Sequence, residues 1–417
     1  MGIDMTETRI KSNGHLPPVA DLSPSSHAFR TRSAHTGDEP DRPARPFAQP
    51  IFQGSVYAFD DAELADDAFA LASPLYARDG LPNARSLERA IADLEGVEAA
   101  QATSSGMSAI ALAFLSLASS GDRVVAQMGC YADTAVLLGE VLARFGIEVE
   151  FVDFDDLDAL RAAVSAGARI VYAETISNPE MQLADLPAIA TIAHAAGALF
   201  LVDNTLATPA LCRPFEHGAD LVLHSAGKFL GGHHDVSAGI VAGQAALIAR
   251  LRRMAYLTGP VLAPLDAWLT LRGMKTLAPR IAWSSQSAGY VAAFLAAHPA
   301  VAAVRYPGWP RPDRSRLTEQ LLPYGAGGLL AFDLTGGPAA ASEMIARLKL
   351  IAYVPSLGGP TTIVSYPPPA HACDLAEDGA TERRPYKSET VRLSIGLEDP
   401  DDIIADLRQA LDAAMLA

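Results

Sequence analysis

Positive charge is what this chain most conspicuously lacks. Of 417 residues, 32 are Lys or Arg and 48 are Asp or Glu, giving a formal net charge of −16. A surface of that sign repels phosphate backbones and anionic membranes. No basic, aromatic-interleaved stretch offsets it, so nucleic acid is not an expected partner. Cysteine is also scarce: Cys130, Cys212 and Cys373 are widely separated and odd in number, which indicates neither a disulfide framework nor a zinc ribbon. Long apolar runs are missing. The nearest approach, Ala109 to Ala118, falls short of the ~18 residues a membrane span needs and reads as a buried helix. The first residues show no charged region followed by an apolar core and cleavage site. These absences lead us to expect a reduced, cytoplasmic protein with no membrane contact. No G-x-G-x-x-G joins a first strand to its helix either, which argues against a dinucleotide fold.

What the chain does have is length and apolar content. With 50% hydrophobic residues spread along it, a large core and roughly two or three domains are expected. Residues 1 to about 27 are polar, proline-bearing and aperiodic, and read as a loose leader. Pro43, Pro46 and Pro50 then forbid regular helix. Leu87, Ala90, Ile91 and Leu94 fall at helical spacing, with Gly96 as a stop. From Gly121 to Gly239, apolar runs (Val124 to Ala126, Val149 to Val152, Ile170 to Tyr172, Leu199 to Val202, Leu221 to Leu223) alternate with alanine-rich helical stretches. That alternation predicts a mostly parallel sheet covered on both faces. After about Pro264 the pattern changes to helices over Leu265 to Leu277 and Trp283 to Ala297, a strand over Leu329 to Leu334 and a final helix around Ile403 to Leu416. This predicts a second, smaller α+β domain. The expected division is a leader and arm over 1–70, a large domain over 71–264 and a small domain over 265–417.

Open α/β sheets keep their chemistry at the carboxyl ends of the strands. Two of the apolar runs end there in polar residues: one delivers Asp203, the other Ser225 and then Lys228 among small residues. A lysine amine in that position can form a Schiff base. Ser104, Ser105 and Gly106 precede an apolar helix, and a small-residue loop at a helix start suits a phosphate, although the same loop also serves as a plain cap. His233, His234 and Asp235 are adjacent in sequence and do not converge on one ion as neighbours, so they read as structural.

The segment HSAGKFLGGHHD, with VDNT and ATP upstream, resembles the cofactor-lysine and acidic-residue segments of the Cys/Met-metabolism family of pyridoxal phosphate enzymes, the cystathionine γ-synthase and methionine γ-lyase group. The resemblance covers about residues 29 to 417. It implies an α/β fold of the aspartate aminotransferase type (fold type I) and pyridoxal 5'-phosphate as cofactor. It implies Lys228 as the residue holding the cofactor aldehyde and Asp203 as the partner of the ring nitrogen. SSGM, with Ser105, Gly106 and Met107, matches the phosphate cup, to which Ser225 also belongs. Tyr76 and Arg78 match a Y-x-R pair that reaches the phosphate of the adjacent subunit, which implies a homotetramer built from dimers with shared sites. Tyr131, in CYADT, matches a tyrosine that stacks on the ring and passes a proton to or from the leaving group. Asn178, after Glu174 in ETISNPEMQLADL, matches the partner of the phenolic oxygen. Ser356, in SLGG, and Arg392, in VRLSIGLED, match the site of the substrate α-carboxylate.

The chain also departs from the family pattern. Gly227 stands where the family commonly has threonine, which implies one phosphate hydrogen bond fewer. Thr134 is followed by Ala135 and Val136 rather than an arginine, and Pro355 replaces the glutamate or tyrosine of some relatives, both against a cystathionine-shaped substrate. Around Ala255 and Tyr256 the lysine and aspartate expected of methionine γ-lyases are absent. The activity implied is γ-elimination from a small-molecule L-amino acid with a heteroatom leaving group: methionine, homocysteine or an analogue such as canavanine. Alternatives are a γ-replacing transferase of cystathionine γ-synthase or O-acylhomoserine sulfhydrylase type, and an inactive, cofactor-binding regulatory protein.

Overall fold

Strands rich in Val, Ile, Leu and Ala, buried on both faces, assemble the larger sheet. In the computed structural model, which describes residues 27–37, 48–59, 62, 76–307, 309, 315–366 and 390–415, this sheet has seven strands. They are β1 (Ala99–Thr103), β2 (Arg123–Gln127), β3 (Glu148–Val152), β4 (Ala168–Glu174), β5 (Leu199–Asp203), β6 (Leu221–Ser225) and β7 (Gly239–Gly243). Their order is β1-β7-β6-β5-β4-β2-β3. The pairs from β6 through β3 are parallel, while β7 runs antiparallel to both its neighbours. The leader, Pro43, Pro46 and Cys373 lie outside the described residues.

Alternation along the strands divides the core in two. Phe200, Val202 and Val222 face one hydrophobic cluster, whereas Leu201, Leu221, Leu223 and Tyr172 face the other. The first face is covered by α1 (Pro82–Glu95), which starts on a proline and stops where Gly96 turns left-handed at φ 74°. Leu87, Ile91 and Leu94 of α1 are fully buried, each contributing about 1.5–3 kcal/mol over an exposed position. The second face is covered by α2 (Gly106–Leu117) and, beyond a short α3 (Ala132–Val136), by α4 (Ala245–Thr258).

The helix expected to run to Leu277 ends earlier. α5 (Pro264–Met274) stops at Lys275 and Thr276, and α6 (Leu277–Ala297) begins anew. At the break, Thr276 leaves helical geometry at φ −110° and its hydroxyl donates to the Gly273 carbonyl at 3.1 Å. β1 and β7 were not foreseen: AAQAT carries little β-branched character, and GIVAG follows the segment in which the alternation was read. A second, five-stranded sheet is ordered β10-β11-β12-β9-β8. Its strands are β8 (Val301–Arg305), β9 (Leu329–Leu334), β10 (Ala352–Tyr353), β11 (Ile363–Ser365) and β12 (Thr390–Ser394), and the final helix is α7 (Pro400–Met415).

The α7 residue Asp406 secures the approach to β10. Its carboxylate accepts the backbone N–H groups of Lys349, Leu350 and Ile351 at 2.9–3.2 Å. Burial raises the carboxyl, but the bonds from Ile351, Lys349, Leu350 and Gln409 outweigh it and leave the group below its ordinary value. Because the folded value is depressed, the contribution is complete above the unfolded carboxylate range, near pH 4, and lost as pH falls through the folded value. Asp406→Ala is expected to cost about 1–3 kcal/mol at pH 7 and less as pH falls below the unfolded carboxylate range, measured by urea unfolding across that range.

Candidate active site

β4, β5 and β6 run parallel, so their carboxyl ends open at one edge. Glu174 closes β4 and lies in register with Asp203, the last residue of β5. Two carboxyl groups therefore stand side by side on one face. Glu174 is buried, and its Oε1 accepts the Tyr131 backbone N–H at 2.6 Å. Burial and the neighbouring Asp203 push its carboxyl from the ordinary 4.5 to about 8. Asp203 is also raised by burial, although it accepts the Thr205 N–H at 2.9 Å and Thr205 holds it back. Thr205 in turn takes the Ser225 N–H on its hydroxyl at 2.8 Å, tying the ends of β5 and β6 together.

Lys228 follows three residues after Ser225. Its Nζ donates to Ser356 Oγ at 3.1 Å, and burial followed by the charge of Arg392 lowers its pKa. Arg392, on β12, donates to the Asn178 side-chain oxygen at 2.8 Å and to the Ser356 carbonyl at 3.2 Å. Lys228, Asn178, Ser356 and Arg392 thus form one group, with residues drawn from both sheets. The Ser356 loop lies directly on the lysine backbone: a Cβ on Gly358, at φ +84°, would sit 2.5 Å from Phe229 N. Only glycine permits that approach.

Ser105 caps α2. Its hydroxyl accepts the Ser108 N–H at 3.1 Å and the Ser108 hydroxyl accepts the Ser105 N–H at 2.9 Å. The first-turn amides of Gly106 and Met107 have no intrahelical acceptor, and the positive end of the helix favours an anion there. Gly106 presses so closely on Ser225 that a Cβ would fall 2.6 Å from its Cβ. Ser225 therefore borders both this helix start and the Lys228 loop. At Gly227, a Cβ would meet the Val236 carbonyl oxygen at 2.5 Å, so the backbone occupies the space a threonine side chain would need.

Tyr131 stands beside Glu174 through its backbone, with its ring exposed and its hydroxyl donating to Asp133 at 2.7 Å. Tyr76 and Arg78 keep different company. The Arg78 guanidinium lies over the Tyr76 ring at 4.8 Å and over the Tyr256 ring at 5.1 Å, and among the described residues it has no carboxylate partner. His233 Nδ1 is 2.8 Å from the Gly231 carbonyl, and His234 packs on Gly359.

Sequence reasoning missed Arg280 on α6. It is buried, donates to the carbonyls of Phe229, Leu230 and Gly273 at 2.8–3.3 Å, and is lowered to about 10 by burial. It fastens the loop after Lys228, and a single arginine in a helical stretch gave no signal of that. Thr205, Glu95 and His224 were likewise assigned no role.

A helix start that attracts an anion, an amine biased towards its neutral form and a pair of acids that would welcome a cation fit a ligand carrying a phosphate, an aldehyde and a basic ring nitrogen. The profile of the Cys/Met metabolism PLP-dependent enzymes matches residues 30–412. The chain belongs to that family. It is 39% identical to L-methionine gamma-lyase of Pseudomonas putida, over 93% of this chain and 98% of that protein. It is 36% identical to O-succinylhomoserine sulfhydrylase of Pseudomonas aeruginosa, over 93% and 96% of the two chains. A solved Campylobacter jejuni structure described as an O-acetylhomoserine (thiol)-lyase superposes with a TM-score of 0.85 at 30% identity, over 93% of this chain and 100% of that one. That structure carries N'-pyridoxyl-lysine-5'-monophosphate. Pyridoxal phosphate dependence and the fold type expected from the sequence are thereby established.

The raised Glu174 carboxyl has a consequence for stability. An acid whose folded value lies above its unfolded one withdraws stability as pH rises between the two, here from 4.5 to about 8. Glu174→Gln keeps an acceptor for Tyr131 and removes the ionisation. Thermal unfolding of the cofactor-free chain is expected to show a smaller fall in Tm between pH 5 and pH 8.5 in the variant than in the native protein.

Proposed function

We propose that this enzyme is a γ-lyase, cleaving an L-amino acid with a heteroatom leaving group at Cγ: methionine, homocysteine or an analogue such as canavanine. The observation that carries the reading is the Lys228, Ser356, Arg392 and Asn178 group, where an amine of lowered pKa stands beside a guanidinium suited to a carboxylate. Residues 71–264 would form the cofactor-binding domain and 265–417 the small domain. The reading includes a cytoplasmic location and a homotetramer of dimers.

In this reading Lys228 would hold the cofactor aldehyde, Asp203 the ring nitrogen and Asn178 the phenolic oxygen. Ser105, Gly106, Met107 and Ser225 would hold the phosphate, joined by Tyr76 and Arg78 of a neighbouring copy. The bound cofactor supplies an electron sink for charge developing at the substrate α-carbon. Arg392 grips the substrate α-carboxylate, exchanging its bond to Asn178 for that contact. The Lys228 amine, oriented by Ser356, removes the Cα proton and carries protons to and from Cβ. Asp203 would keep the ring nitrogen of the bound cofactor protonated. Tyr131, turning from Asp133, gives its proton to the departing heteroatom. Hydrolysis of the remaining unsaturated fragment yields 2-oxobutanoate and ammonia.

A γ-replacing transferase is the second reading, supported by the 36% identity to a sulfhydrylase that acts on O-succinylhomoserine. Methionine, homocysteine, cystathionine, canavanine and O-acetylhomoserine, each with and without added thiol, separate the two. Release of 2-oxobutanoate and ammonia without thiol is the expected outcome, whereas turnover only with thiol, forming a thioether, assigns the transferase.

Arg78, flanked by two tyrosine rings and free of a carboxylate among the described residues, supports the shared site. Mixing Lys228→Ala chains with Arg78→Ala chains is expected to restore partial activity in the hybrid oligomer. Each homogeneous variant should remain at least about tenfold below the native rate; absence of complementation places both residues in the site of their own chain.

A further inference from the structure

Behind the sheet from Asp203 lies a hydrogen-bonded acid–imidazole pair that the proposed reaction does not use. Glu95, the last residue of α1, and His224, the penultimate residue of β6, are both fully buried and meet through Oε1 and Nε2 at 2.6 Å. A buried pair returns little net stability against an apolar pair of the same volume, so its presence at this depth calls for another role. The surrounding contacts supply one. Glu95 Oε1 also accepts from Asn204 Nδ2 at 3.1 Å, and Asn204 directly follows Asp203. The Asn204 N–H donates to the Leu223 carbonyl at 2.8 Å, while Thr205 joins Asp203 to the Ser225 N–H. Residues 203–205 and 223–225 are thereby stitched together with Glu95 fastened to their rear.

The pleat fixes the direction of the pair. Asp203 is in register with Leu223, so those two side chains share one face, and Asn204 and His224 fall on the other, where α1 packs. Passing from α1 through the sheet, the order is Glu95, His224, Asp203. On the Asp203 face the titratable neighbours Glu174, Tyr172 and Cys130 are all acids. Among the described residues the base acting on Asp203 is His224, whose charge, after the Thr205 bonds, counters the rise that burial imposes.

We propose that the Glu95–His224 pair is a positioning device for Asp203, keeping that carboxylate ionised and aimed at the ring nitrogen of the cofactor. This rests on the assignment of Asp203 to the ring nitrogen. The test compares two ligands on the full-length chain freed of cofactor: pyridoxal phosphate and its carbocyclic analogue, in which C–H replaces the ring nitrogen. Equilibrium affinities are measured by fluorescence titration for the native chain, Asp203→Asn, His224→Gln and the double variant Glu95→Gln/His224→Gln, which retains a neutral hydrogen-bonded pair.

The expected result is that His224→Gln and the double variant bind pyridoxal phosphate about tenfold more weakly and bind the analogue as the native chain does. Equal loss for both ligands, no loss, or recovery in the double variant reduces the pair to packing and overturns the proposal. Asp203→Asn separates the two levels. If it erases the preference for pyridoxal phosphate while His224→Gln does not, this inference alone falls; if it leaves the preference intact, the assignment of Asp203 falls and the inference with it.

Discussion

Glu174 beside Asp203 is the constraint on which the rest of the site depends. The parallel register of β4 and β5 places the two acids at the same level, in a setting where burial makes each charge expensive. Two adjacent carboxylates in that setting cannot both ionise without a compensating positive group. Glu174 resolves the conflict by holding its proton and accepting from the Tyr131 backbone. Asp203 is left as the acid that a nearby cation would stabilise. The sheet thus defines an electrostatic demand before any ligand arrives, and the cofactor class is the chemical answer to it.

A second asymmetry involves the cations. Lys228 and Arg392 are close enough for the guanidinium to lower the amine, and Ser356 takes a hydrogen bond from each, through its hydroxyl and its carbonyl respectively. Acids therefore gather at the strand ends of the larger sheet, while the cations come from the Lys228 loop and the smaller sheet. The site thus has an acidic side and a cationic side.

Much of this was legible in the sequence because it is local. The alternating apolar runs of β2 to β6, the Gly96 stop and the polar residues past β5 and β6 are written in consecutive residues, and periodicity recovers them. Other features are written in pairs far apart. Glu95 and His224 are 129 residues apart, and no window holds both. Arg280 looks like any helix arginine until the loop carbonyls close on it. β1 failed for another reason: alanine supplies burial without strand preference, so only its neighbours make it a strand. Gly227 read as a lost side chain, whereas the Val236 carbonyl shows the loop to be packed against the place that side chain would fill.

The seat of the Ser356 loop on the lysine backbone ties the small sheet to the amine. Gly358 leaves no room for a side chain beside Phe229 N, and the same loop carries the oxygen that accepts from the Lys228 amine. Arg392 on β12 is bonded to the Ser356 carbonyl of this loop. The guanidinium and the amine are therefore joined through one short segment. One residue, Ser356, therefore sets the position of both cationic side chains, so a displacement of either is felt by the other.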